Sequence, residues 1–507
     1  NCCLQLTKCT EKALRLQGYE IIGTGFAYKA KIQMVDGQRK CTERKVRFVA
    51  RGNQQWDSFG NQTYAATPPY WCLRMVLILA TECGLRPQQA DVVSAFQIPE
   101  LHDKIAVRLP AGFTVEGQHL AILHKTMQGI KQASKIWGDT FHRVIMSYDR
   151  RMVACKKAGK CMYALWTADV KCIVVRWVDD IFGFSSDGNS YFNGFLKAMA
   201  GKFPLKMLGD MRVALGTEIE YAHDNSWAVM LMEKAIVQMA EEYRARELIQ
   251  YTSTTPITSK QLDLVVKHEE QQDDLPFRNV MGELNWIANV RPDVVVAIRR
   301  LACFCNCADE FIYQLAMQVV VYLYVNRDMG LKIVRSAAAK LGTPLQGPLE
   351  LYAYADASHA SDKVTMRSVS GSMVFLNGNL LMFSSRMQKT VATSSTESEL
   401  MAANECAKDV MQARHLIQEF GEVQPSSRIH LDSAGATFIA SNDKTSANIR
   451  HIAIREYYCR ELVDRGEVEF GYVPGVDNPA DMLTKPLERV KLQQFASVVM
   501  GRAADMR

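Results

Sequence analysis

No apolar run in this 507-residue sequence reaches the roughly 18 to 20 residues that a bilayer-crossing helix needs, although 48% of its residues are hydrophobic. The apolar side chains are instead dispersed through the chain, as in an ordinary globular protein. The opening NCCLQLTKC lacks both an initiating Met and the pattern of a signal peptide, so the chain reads as a piece of something longer. Internal repeats and low-complexity tracts are missing. No disulfide frame is visible either, because the fourteen cysteines are scattered over a chain far larger than disulfide-dense domains. Free thiols in a reducing compartment are the expectation. Cys303-x-Cys305-x-Cys307 has no matching Cys/His pair and is poor zinc geometry. The hydroxyl-rich SSTES run offers no nucleophile elbow and no His partner. Charge of neither sign dominates: a net +6 over this length says little about partners, so a nucleic-acid reading needs local clustering.

What is present begins with length, which predicts two to four domains. From Tyr19 to Val49 the pattern alternates, with Asp36-Gly37 as a hairpin turn. Residues 39–51 hold six basic side chains (Arg39, Lys40, Arg44, Lys45, Arg47, Arg51) against one acid, Glu43. They form a local basic cluster or, equally, a solvated edge strand. YWCLRMVLILATECGL (70–85) has helical spacing and a Gly stop. QQADVVSAF opens as a short strand, 118–145 reads as strand then amphipathic helix, and 170–187 reads as strand, tight turn, strand. Helical patterns follow at 190–203 and 232–248, separated by a hairpin around Asp224-Asn225. A helical zone covers 272–326, and PLQGPLE (344–350) looks like a linker. Beyond it, LYAYAD, a hairpin turning at Asn377-Gly378, a helix ending at Gly421, IHLD and GEVEFGYVP make an α/β pattern.

Two sets of acids stand out. Asp179 and Asp180 sit inside IVVRWVDDIFGF, an otherwise almost wholly apolar stretch. At a hairpin apex both can face one way, and their repulsion in a low dielectric is costly unless a cation offsets it. Hard divalent ions take carboxylate oxygens together with substrate phosphates, and Asp91 at the end of its strand is a third candidate ligand. An isolated Asp-Asp pair is more often an exposed turn. In the second half Asp356, Glu399, Asp432 and Asp481 fall at element ends, from which they can converge on a metal pair. Each has a plain alternative. Thr396-x-x-Glu399 is a capping-box pattern, Asp356 and Asp432 are possible turn formers, and Asp481 suits a helix N-terminus.

Ordered blocks decide between these readings. KVRFVARGNQ, QADVVSAF, MQGIKQASKIW, WVDDI, MLGDMRVALGTEIE and RPDVVVAIRRLA resemble, in order, the reverse transcriptase blocks of Ty1/copia-type LTR retrotransposons. YADAS, SSTESELMAA, HLDSAGA, RHIAIREYY and YVPGVDNPADMLTKPL resemble the ribonuclease H domain of the same elements. The likeness covers about residues 20 to 487. It implies an α+β and α/β multidomain fold, a right-hand polymerase followed by a ribonuclease H-like domain. The implied boundaries are an N-terminal remnant over 1–18, fingers and palm over 19–204, a thumb-like region over 205–270, a helical connection over 271–345, the ribonuclease H-like domain over 346–487 and a tail over 488–507.

The resemblance also implies roles. Asp91, Asp179 and Asp180 would hold two Mg2+ ions in the palm, with Mn2+ as a substitute. Asp356, Glu399, Asp432 and Asp481 would do the same in the nuclease. Phe96, five residues after Asp91, would be the aromatic gate against a ribose 2′-hydroxyl, its alternative being a core aromatic. Gln128-Gly129 resembles the dNTP-pocket Gln-Gly of retroviral polymerases, where this family usually has Tyr-Gly, and Lys45 and Arg47 would face the triphosphate. Trp177 stands where the family has Tyr, keeping stacking area for a primer end but losing the phenol. Ser134 replaces a Pro, Ala453 departs from an acid, and Ser358 replaces another. The implied partners are an RNA template, a DNA primer, an RNA–DNA hybrid and dNTPs, with capsid, protease and integrase regions upstream. An intracellular site is implied, in a cytoplasmic particle and the nucleus. The competing readings are a decayed or domesticated nucleic-acid binder without catalysis, and a chain in which only the nuclease half works. All seven carboxylates are present, which weighs against decay.

Overall fold

The two alternating runs at the start pair with each other over most of their length. In the computed structural model, strand Glu20–Val35 lies antiparallel to Gln38–Ala50, from Thr24 opposite Ala50 to Val35 opposite Gln38. The structure describes residues 3–35, 38–56, 63–110, 112–113, 117–249, 253–264, 275–340, 345, 347–363, 365–441 and 453–506. The expected Asp36-Gly37 turn and part of the 344–350 linker lie outside them. The start of Glu20–Val35 also pairs in parallel with Ile105–Arg108. That contact places the hairpin in a five-stranded sheet with Leu4–Leu6 and Leu120–Leu123. Ile22, Val107, Leu123 and Ile130 form its core.

A second, antiparallel sheet runs Leu205–Asp210, Gln88–Val92, Asp180–Ser185, Lys171–Trp177, Met162–Trp166, Val153–Ala154. Its strands are apolar because helices Ala133–Tyr148 and Ser190–Ala200 bury against it, through Trp137, Phe141, Phe192 and Phe195. These two sheets make up one compact unit, residues 1–69 and 88–210. Strand Leu205–Asp210 belongs to it by hydrogen bonding to Gln88–Val92.

The other unit comprises residues 70–87 and 211–507. Helix Trp71–Glu82 is buried along every residue, as a helix apolar on all sides must be, and packs on Met329–Val334 and Asn379–Met387. The helix expected over 232–248 breaks at Arg244 (φ 50°) into Glu233–Glu242 and Ala245–Leu248. One sheet of this unit orders Val213–Ala214, Thr217–Tyr221, Trp227–Leu231, Met329–Val334, Met500–Arg502. The segment expected as a C-terminal tail carries helix Arg489–Val499, which leads into that edge strand, Leu331 pairing with Met500. The other sheet orders Asn379–Met387, Val369–Leu376, Leu351–Ser358, Ser427–Leu431, Val468–Tyr472. Its last two strands join in parallel, and the 25-residue helix Ser395–Glu419 covers one face. Asn377 and Gly378 take positive φ between paired Leu376 and Asn379, the two-residue turn their types predict. The fold is the mixed α+β and α/β architecture expected. Among the described residues no two cysteines form a disulfide, and no described helix is long and apolar enough to cross a membrane.

Candidate active sites

The first site is built by strand register. Asp91 lies directly opposite Asp180 on one side and Lys206 on the other, while Asp180 also faces Trp177 across its hairpin. Residues directly opposite in antiparallel strands share a face, so one face gathers two carboxylates, an indole and an ammonium group. Asp179 occupies the two-residue turn between the strands and is exposed. Burial, then the charges of Asp179 and Asp91, push the Asp180 carboxyl up to about 6. Asp91 is raised by burial and Asp179, while Lys206 and Lys45 pull it back. Gln89 Nε2 donates to Asp180 Oδ1 at 3.5 Å.

The turn itself is strained. Val178 has φ 58°, a left-handed conformation that a β-branched residue adopts only when its surroundings enforce it. Two hydrogen bonds do so: buried Trp137 donates Nε1 to Val178 O at 2.6 Å, and Val92 N donates to Asp179 O at 2.9 Å. Trp137 was visible in the SKIW motif, but nothing in the sequence linked it to the acidic turn.

Phe96 lies in the short turn Ala95–Gln97, half-buried, with its ring packed against both cores of this unit. It is a core aromatic on one side and accessible on the other. Gln128 and Gly129 meet the VARGN motif: Ala50 N donates to Gln128 O at 2.9 Å, and a Cβ on Gly129 (φ +102°) would stand 2.1 Å from Ala50 O. Gln55 completes the clasp by accepting from Lys131 N at 2.6 Å. Two motifs that are separate in sequence are therefore one object. Lys45 and Arg47 are exposed on Gln38–Ala50, two residues apart and thus on one face. Lys45 stands opposite Lys29, a like-charge pair that an anion would relieve. Lys206, whose charge acts on Asp91 as Lys45's does, escaped sequence reasoning because no motif marks it.

The second site is tighter. Among the described residues, Asp356, Glu399 and Asp432 are the one group of His, Cys, Asp or Glu whose ligand atoms all lie within 4.8 Å of one another. Asp356 lies in Leu351–Ser358, Asp432 follows Ser427–Leu431, and Glu399 lies in Ser395–Glu419. Glu399 is past the first turn and does not cap its helix. Ser394 is the N-cap, accepting from Glu397 N at 3.1 Å, while Glu397 accepts from Thr393 N at 2.7 Å. The capping reading belongs to Glu397, which leaves Glu399 free.

Burial, then Asp356 and Asp432, push Glu399 up to about 9. Burial and Asp481 raise Asp356 to about 7, opposed by the Thr484 hydroxyl that donates to it. Burial and Asp481 also raise Asp432. Asp481 stays beside this cluster: it is buried in the turn Pro479–Leu483 and ion-paired to both Lys485 and Lys491. The turn docks through Asn478 Nδ2, which donates to Ala355 O at 2.9 Å, and over Gly371, where a Cβ would stand 2.9 Å from Ala480 O. Glu399 Oε2 is buried without a hydrogen-bond partner. An orphaned oxygen amid three carboxylates that resist ionising fits a divalent cation with hard oxygen preference.

Residues 15–258 match the family described as reverse transcriptase (RNA-dependent DNA polymerase). The chain is 25% identical over 479 residues to a retrovirus-related Pol polyprotein from transposon TNT 1-94 of Nicotiana tabacum, covering 92% of this chain and 34% of that one. It is 26% identical over 459 residues to one from transposon RE1 of Arabidopsis thaliana, covering 90% and 30%. A solved foamy viral protease-reverse transcriptase in complex with an RNA/DNA hybrid aligns over 87% of this chain and 50% of that one, at 11% identity and TM-score 0.46. The chain thus spans about a third of the length of the curated relatives it matches.

Proposed function

Because residues 15–258 carry a copia-type retrotransposon reverse transcriptase, we propose that the chain copies RNA into DNA and also cleaves the RNA strand of the resulting hybrid. The polymerase half rests on the register that brings Asp91 opposite Asp180 beside the Val178-Asp179 turn. The nuclease half rests on the Asp356, Glu399, Asp432 cluster.

In the polymerase, Asp91, Asp179 and Asp180 would hold divalent ions. Lys45 and Arg47 present fixed positive charge to the triphosphate. Lys206 offsets the mutual repulsion of the acids. Trp177, on the face of Asp180, offers stacking area to a primer end. Phe96 offers a half-buried ring edge that restricts the sugar position, and the clasp of Ala50 with Gln128-Gly129 fixes the basic strand relative to it. Divalent ions held by these carboxylates would supply Lewis-acid stabilisation of attacking and leaving oxygens in both sites. In the nuclease, Asp356, Glu399 and Asp432 are the holders, with Asp481 adjacent. The protein's work is positioning and charge, with little covalent chemistry.

The test is primer extension on an RNA template with Mg2+ and dNTPs, alongside hybrid cleavage, for the wild type, Asp179→Asn and Glu399→Gln. Extension lost only in the first variant, with cleavage lost only in the second, supports both halves. A folded wild type that binds hybrid but does neither reaction is a binding relic. Cleavage without extension leaves the nuclease alone.

A further inference from the structure

Arg74 is a buried cation with no acid to answer it. It sits on helix Trp71–Glu82 at 5% exposure. Its two terminal nitrogens donate to Leu381 O at 2.8 Å and Asn289 O at 2.6 Å, and its Nε has no partner. The guanidinium stacks on Phe383, 4.7 Å from the ring centroid. No carboxylate among the described residues pairs with it, and burial draws its pKa down to about 10. Leaving a charged group buried and incompletely bonded is expensive.

The surroundings add charge of the same sign. Arg74 lines an open cavity of about 330 Å3 that Arg299 and Arg386 also line, together with Asn289, Phe383 and Ser385, and no acidic side chain lines it. Arg386 is balanced from behind by Asp409 at 3.0 Å and Glu405 at 3.8 Å. Arg299 is not: partial burial and the neighbouring Arg386 both hold its pKa below the usual range. A purely structural pin would need Arg74 and two carbonyls; it would not need two further guanidinium groups converging on the same space. Two uncompensated guanidiniums, one with an unspent N–H, match a phosphate in charge and in fork geometry.

We propose that this cavity is a phosphate-binding site, separate from both carboxylate sites and independent of whether either is catalytically active. Arg74 supplies the buried Nε donor, and Arg299 the exposed second arm. The phosphate comes either free in solution or from a nucleic-acid backbone.

The full chain is titrated calorimetrically with inorganic phosphate against a chloride control of equal ionic strength. A short RNA–DNA hybrid is titrated over a series of salt concentrations. Arg299→Gln and Arg74→Gln are compared with the wild type. Saturable phosphate binding, weakened at least tenfold in Arg299→Gln, establishes the site with free phosphate. Hybrid affinity that falls in Arg299→Gln, with the slope of log affinity against log salt reduced by about 0.9, establishes it with a backbone phosphate. If Arg299→Gln leaves both titrations at wild-type values, the proposal is wrong. Arg299 lies at the exposed mouth of the cavity and outside the buried core, so the test stands even where Arg74→Gln fails to fold.

Discussion

Replacing Trp137 with Phe should disable the polymerase site without touching any residue of it. The Phe ring keeps the edge contacts that the indole makes with Phe141 at 5.8 Å and Phe203 at 5.2 Å. What goes is the 2.6 Å donation from Nε1 to Val178 O. A buried hydrogen bond of this kind contributes about 1 kcal/mol, and stranding its acceptor brings the loss to about 1–3 kcal/mol. The left-handed Val178 stores a further 1–2 kcal/mol or so, which the bond now opposes. With the bond removed, the turn is free to relax toward negative φ, carrying Asp179 and Asp180 out of register with Asp91. A shift worth about 1.4 kcal/mol in the transition state is a tenfold rate loss. The assays are urea unfolding and single-nucleotide incorporation. We expect a stability loss of about 1–3 kcal/mol and incorporation slowed at least tenfold. Val178→Gly, which needs no enforcement at positive φ, should make the stability cost of Trp137→Phe smaller in the double variant. Wild-type incorporation by Trp137→Phe, with unfolding unchanged, would refute the reasoning.

Gly129→Ala should cost about 3 kcal/mol or more, because its Cβ would stand 2.1 Å from Ala50 O at a φ of +102°; unfolding that matches the wild type would show that the clasp is not tight. Glu399 is raised to about 9, so the folded carboxylate cluster binds more protons than the unfolded chain between its ordinary pH range and about 9. Stability of the ion-free protein should therefore fall as pH rises through that window, and the fall should shrink in Glu399→Gln; parallel melting-temperature profiles would contradict this. The same sign makes Mn2+ affinity, read by calorimetry, rise with pH up to about 9 in the wild type. Polymerase activity should decline as pH drops through about 6, where Asp180 gains its proton, and a flat profile down to pH 5 would count against that carboxylate. Lys491→Ala should strengthen divalent-ion binding at the nuclease cluster, because one of the two ammonium groups neutralising Asp481 is gone; equal affinity would mean that Asp481 takes no part.

Much of this was legible in the chain because the signals were local. Alternation gave the paired strands, Asn377-Gly378 gave its turn, and the apolar run around Asp179-Asp180 gave a hairpin whose apex carries charge. The seven candidate carboxylates stood out because they fall inside apolar runs or at element ends, within blocks that resemble one family in order. Contacts made across long separations were hidden. Lys206 faces Asp91 only because strand Leu205–Asp210 adds to the edge of the sheet, and no local pattern tells an edge strand which neighbour it will choose. Trp137 reaches Val178 across 41 residues. Arg74 looked like one polar residue on an apolar helix until Phe383 and Arg386 arrived beside it from some 300 residues away. The N-cap was read two residues late, since Ser394-x-x-Glu397 and Thr396-x-x-Glu399 overlap in the same hydroxyl-rich run.

The chain's last segment binds its parts in a way that bears on modularity. Helix Arg489–Val499 sends Lys491 to Asp481, while the strand after it, Met500–Arg502, edges a different sheet through Met329–Val334. Lys332 Nζ also donates to Ser497 O at 2.5 Å. The nuclease-like domain is therefore not a bead that recombination could exchange at a single junction before residue 350. A transplant cut there would have to bring a matching edge strand, or leave Met329–Val334 exposed as a sticky border. The two sheets of this unit are thereby coupled by a stitch of fewer than twenty residues, and a stop codon shortly after Leu487 would unpick both sides at once.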